Sequence, residues 1–107
     1  MHHKQVLFER HDLDENGNPS GGDTRATGIA IEWQNGALKD DTPNGAQVED
    51  VLTAALGRLR FLDTASNGRF RCRENALAIT KIEEAIHWLE ARTAARKARG
   101  VEGTHNP

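Results

Sequence analysis

Arg71-Cys72-Arg73-Glu74-Asn75-Ala76-Leu77-Ala78-Ile79-Thr80-Lys81-Ile82-Glu83-Glu84-Ala85-Ile86-His87-Trp88-Leu89-Glu90-Ala91-Arg92-Thr93-Ala94-Ala95-Arg96-Lys97-Ala98-Arg99 is the stretch on which the fold turns. Cys72, Ile79, Ile82, Ile86, Leu89 and Thr93 recur at spacings of three, four and seven, which places them on one face of a single helix. Trp88 faces away from that seam. Gly100 follows as the residue that ends the helix in a left-handed conformation. At 1.5 Å per residue the helix is about 43 Å long.

Working back toward the N-terminus, residues 46–62 carry Val48, Val51, Leu52, Ala55, Leu56 and Leu59 at helical spacing, a second amphipathic helix. Asn44 with Gln47 three residues on forms a capping-box pattern, and Glu49 and Asp50 suit the positive end of the helix dipole. Asp63 to Phe70 reads as the connection. The first third reads as strands: Lys4 to Leu13 contains Val6-Leu7-Phe8, and Thr27 to Gln34 alternates Ile29, Ile31 and Trp33. Between them, residues 14–23 are dense in turn formers and read as a long loop. The expected class is α+β: N-terminal antiparallel strands (1–43), then a long two-helix hairpin with its tail (44–105), all one domain spanning 1–107.

Composition bounds what this fold can do. The chain has 107 residues, of which 36% are hydrophobic, and Leu, Ile, Val and Phe make up about a fifth. So thin a core predicts completion by oligomerisation. The first helix is too short to cover the second, which points the same way. No apolar run reaches the roughly 20 residues of a membrane span and no signal segment is expected, so no membrane partner is implied. A single cysteine, Cys72, excludes an internal disulfide. The net charge of −2 hides a division: residues 1–50 carry −6 and residues 51–107 carry +4. That favours a localised anion site over a coat for nucleic acid polymer.

The anion site has an obvious candidate. Arg92, Arg96 and Arg99 stand at i, i+4 and i+7 on one helix face, and guanidinium forks match phosphate oxygens in pairs. Gly100 and Gly103 would let a ligand approach the backbone, with Val101 between them and Thr104 and His105 as hydrogen-bonding groups. The same residues also read as dipole complementarity and a glycine cap. Asn75 is either an amide that reads adenine or a register-setting residue in a coiled interface. Phe61 and Phe70 flank the inter-helix loop and are candidates either for base stacking or for the core. The histidines show no metal-like spacing with Cys72, and neither a serine elbow nor a phosphate loop is present, so no catalytic residue, cofactor or metal is expected.

The block Phe70-Arg71-Cys72-Arg73-Glu74-Asn75-Ala76-Leu77-Ala78, the run Leu89-Glu90-Ala91-Arg92-Thr93 and the terminal Arg99-Gly100-Val101-Glu102-Gly103-Thr104-His105 resemble phage Thoeris anti-defence proteins of the first type. The helical hairpin of that family is shared with anti-CBASS sponges. The resemblance implies a non-enzymatic protein of the infected bacterial cytoplasm that sequesters glycocyclic ADP-ribose, with cyclic di- or trinucleotides as further candidates. It implies a homodimer or homohexamer with the pocket between protomers. It assigns Asn75 to the base, Arg92 and Arg96 to the phosphates, and Phe61 to stacking. The competing expectation is a small phosphodiesterase acting on the same signals.

Overall fold

The structure is a computed structural model that describes residues 7–100. Three strands precede two helices, β1 (Phe8–Leu13), β2 (Pro19–Ala26), β3 (Ile29–Glu32), α1 (Val48–Gly68) and α2 (Arg73–Ala98), so the class is α+β with an antiparallel N-terminal sheet, as the sequence implies. The described residues form two compact units, a strand unit that ends at Gln47 and a helical unit Val48–Arg99.

In the strand unit β2 is central, pairing antiparallel with β1 (Arg10 opposite Asp23) and with β3 (Thr24 opposite Ile31). The expected long loop at 14–23 is therefore corrected: it closes after Asn18, and Pro19 opens a strand. Asp14 closes it, its carboxylate accepting from the Asn16 and Asn18 amides at 2.8 and 2.9 Å. The sequence conceals β2 because Pro-Ser-Gly-Gly-Asp-Thr-Arg-Ala lacks apolar alternation. Gly22 explains one of these residues: its φ is +126°, and a Cβ there would lie 1.9 Å from the Arg10 carbonyl oxygen. Among the described residues of this unit, the buried side chains are polar, those of Asp23 and Thr24. The Trp33 indole donates to Thr24 Oγ1 at 2.9 Å, and Asp23 binds the Arg25 guanidinium at 2.6 Å with Arg10 at 3.6 Å. The hydrogen bond that Arg25 donates to Asp23, then the charge of Glu32, raises the Arg25 pKa above its ordinary value.

Asn44 does not cap α1. Its side-chain oxygen accepts from the Asn35 amide at 2.7 Å and its side-chain nitrogen donates to the Asn35 carbonyl at 2.9 Å, pinning the loop between them. Nearby, Gln34 and Ala46 join by a backbone hydrogen bond at 2.9 Å, and Ala46 donates to Glu32 at 2.7 Å. The helix starts at Val48, two residues later than expected, with Glu49 and Asp50 in its first turn.

Two further expectations about the hairpin are corrected. Helix α1 runs past residue 62: the Thr64 hydroxyl donates to the Arg60 carbonyl one turn back at 3.0 Å, and the backbone leaves helical geometry only at Ala65. Cys72 belongs to the N-cap of α2, extended at φ −153° and exposed, and is not a seam residue. Ile79, Ile82, Ile86, Leu89 and Thr93 do share the half-buried face of α2. On α1, Leu56 is buried while Val48 and Ala55 are exposed. Arg60 and Glu83 tie the two helices together at 2.6 Å. Arg99 caps α2 with its amide on the Ala95 and Arg96 carbonyls, and Gly100 follows at φ +73°. Among the described residues, no helix is long and apolar enough to cross a membrane.

Candidate functional site

The turn of the hairpin is built from a run of left-handed residues, Ser66, Asn67 and Gly68, at φ +52°, +61° and +80°. They reverse the chain within one turn's length. Arg71 donates its amide to the Gly68 carbonyl at 3.1 Å, and its guanidinium reaches Asp63 at 3.7 Å. Asn75, the third residue of α2, is half-buried against this turn. Its backbone amide donates to Cys72 Sγ at 3.4 Å and its side-chain amide donates to the Phe70 carbonyl at 3.3 Å. Within the hairpin, Asn75 braces the turn.

Two exposed aromatic rings stand in this half of the hairpin, and each carries an arginine. The Arg58 guanidinium lies 5.0 Å from the centroid of Phe61, and that of Arg69 lies 5.4 Å from the centroid of Phe70. Phe61 is 55% exposed and Phe70 51% exposed, so neither ring is core. Sequence reasoning singled out the rings and missed their partners. The signal was available at Arg58, which stands three residues before Phe61 on the same helix.

The arginine stripe is at the opposite end. Arg92 and Arg99 are exposed and Arg96 is half-buried. Arg96 and Lys97 occupy the last turn of α2, where positive charge complements the negative end of the dipole. Gly100 caps this end, while Val101, Gly103, Thr104 and His105 lie outside the described residues. Asn75 and Arg92 are separated along one straight helix by 17 residues, about 25 Å, and Asn75 and Arg99 by about 36 Å. A single hairpin thus sets Asn75 beside the turn and Arg92, Arg96, Arg99 and Gly100 at the far end of α2, with Phe61 on α1 next to the Arg60–Glu83 bridge. It does not bring the two groups within reach of one nucleotide. Among the described residues, no three His, Cys, Asp or Glu side chains converge to hold a metal ion.

This hairpin has known counterparts. A family described as Acb2/Tad1, hairpin domain, matches residues 25–94, a span that includes Phe61, Asn75 and Arg92 and stops short of Arg96. A protein of Bacillus phage SBSphiJ7 called Thoeris anti-defense 1 is 47% identical over 75 residues, which is 70% of this chain. The same match covers 51% of that relative, so the chain spans about half the relative's length.

Proposed function

This chain belongs to the Acb2/Tad1 hairpin-domain family, and from that premise we propose that it is a phage anti-defence protein that binds glycocyclic ADP-ribose signals of the Thoeris system and holds them without degrading them. Its place of action is the cytoplasm of the infected bacterium. In this reading Asn75 and Phe61 take the adenine, and Arg92 and Arg96 take the pyrophosphate, with Arg99, Gly100, Val101, Gly103, Thr104 and His105 closing around it. Cyclic di- or trinucleotides are the second ligand class.

The observation that carries the reading is the separation of the two groups along α2. A diphosphate needs paired cations and a base needs an amide and a flat apolar surface, and in this chain the amide of Asn75 stands about 25 Å along α2 from Arg92, the first of the cations. A second copy running antiparallel along α2 brings them together. Asn75 of one copy is level with Arg92 and Arg96 of the other when the two-fold axis crosses α2 near Glu84 and Ala85. That arrangement produces two equivalent pockets per dimer. It also supports the oligomer expected from the thin core, since Leu56 is the buried apolar residue of the described chain.

Release of ligand after heat denaturation tests the reading directly. Protein incubated with glycocyclic ADP-ribose, heated and analysed by mass spectrometry is expected to return the ligand intact, at one molecule per chain. Recovery of a linear or cleaved product would establish the phosphodiesterase reading instead. Light scattering tests the composite pocket: a stable 11.8 kDa monomer at micromolar concentration, still able to bind, refutes it.

A further inference from the structure

We infer that Arg58 is a positioning residue for the ligand's base, acting through Phe61; the inference rests on the nucleotide-binding reading above. Arg58 and Phe61 share one face of α1, and the guanidinium lies 5.0 Å from the ring centroid. Two neighbouring arginines are already committed, Arg60 to Glu83 at 2.6 Å and Arg71 to Asp63 at 3.7 Å. Arg58 has no carboxylate within 4 Å among the described residues, and the ring is what holds it.

Three consequences follow from that placement. A guanidinium stacked on one face of Phe61 leaves the opposite face as the surface open to a base. It restricts the ring's rotation before ligand arrives, so less conformational freedom is lost on binding. It also draws electron density toward its own side of the ring, which favours stacking of an electron-rich purine on the open side. Phe61 is 55% exposed, so without such a brace the ring would be one of many rotamers in water.

The test separates an effect through the ring from a direct contact with phosphate. Affinity for glycocyclic ADP-ribose is measured by calorimetry for the parent, Arg58→Ala, Phe61→Ala and the double variant, each at two salt concentrations. Lys39→Ala removes a cation from an exposed position in the strand unit and controls for loss of charge. Arg58→Ala is expected to weaken binding about three- to ten-fold with an unchanged salt dependence. Little further loss is expected when it is added to Phe61→Ala, and Lys39→Ala is expected to bind like the parent. The Arg58 Nε proton should show a ring-current shift in the free protein that persists with ligand bound. Undiminished binding by Arg58→Ala overturns the inference while the nucleotide reading stands. So does a loss that persists in the Phe61→Ala background with a shallower salt slope, which would make Arg58 a phosphate contact. Failure of the parent itself to bind this ligand refutes the nucleotide reading and the role of Arg58 with it.

Discussion

Replacing Asn75 separates its two jobs, because they respond differently to alanine and to aspartate. In the folded chain its side-chain amide donates one hydrogen bond, to the Phe70 carbonyl at 3.3 Å, from a half-buried position. Asn75→Ala removes that bond, and water can reach the carbonyl left behind, so the cost to stability is about 0.5–1 kcal/mol. Asn75→Asp removes the donor too and places a carboxylate against the same carbonyl. The residue is in the first turn of α2, however, where negative charge contributes about 0.3–1 kcal/mol through the helix dipole. The repulsion and the dipole nearly offset, and the two variants should melt within a few degrees of each other. Binding should distinguish them sharply. A good amide–adenine pair is worth roughly 1–3 kcal/mol, so Asn75→Ala should weaken affinity about 5- to 150-fold. Asn75→Asp should weaken it further, since a carboxylate in the pocket also repels the ligand's phosphates. Thermal melts and calorimetry on the same samples make the comparison. If Asn75→Ala binds glycocyclic ADP-ribose as tightly as the parent, the residue is a turn brace alone and the base site must lie elsewhere.

Arg92→Ala combined with Arg96→Ala should abolish detectable binding, at roughly 1.5–3 kcal/mol per charge-assisted contact, while the helical content by circular dichroism is retained because alanine is the better helix former; undiminished affinity would remove the stripe from the site. Leu56→Ala truncates the buried apolar residue of the hairpin, which is 6% exposed, and should cost about 2–3 kcal/mol in urea unfolding, where a change below 1 kcal/mol would mean the seam is held elsewhere. Two glycines should respond in opposite directions. Gly57 is in mid-helix with open space where a Cβ would go, so Gly57→Ala should stabilise by about 0.5–1 kcal/mol. At Gly45 a Cβ would lie 2.6 Å from the Trp33 carbonyl oxygen, and Gly45→Ala should cost roughly 1–3 kcal/mol, read from Trp33 fluorescence during unfolding; equal effects at the two positions would contradict the packing described.

The helical hairpin was legible because its determinants are local. Ile79, Ile82, Ile86 and Leu89 announce their helix through spacing alone, and Gly100 announces its end, since each signal depends on residues within one or two turns. The α+β class and the family resemblance followed from the same local patterns. Strand β2 was hidden for the converse reason. A run with Gly21 and Gly22 at its centre has little strand propensity, and it becomes a strand by pairing with β1 on one side and β3 on the other. Asn44 and Cys72 were misplaced because a short polar side chain serves a cap, a loop clip or a seam equally well in sequence. Which partner it finds is settled by distance, at Asn35 for one and the Asn75 amide for the other.

For the candidate site, the sequence by itself determined the chemical inventory: arginines in a stripe, an amide, two phenylalanines and a glycine-rich tail. It could do so because residue type sets which ligand groups can be bound, and helical periodicity sets which side chains share a face. Only the tertiary structure decided where that inventory goes. The rise of 1.5 Å per residue puts Asn75 and Arg92 about 25 Å apart on one straight helix, and the hairpin folds back without bringing them together. It also decided that Arg60 is bound to Glu83, a pairing made by the packing of α1 on α2. Spacing along a chain fixes the face a residue presents; what meets that face is fixed by the long-range contacts of folding.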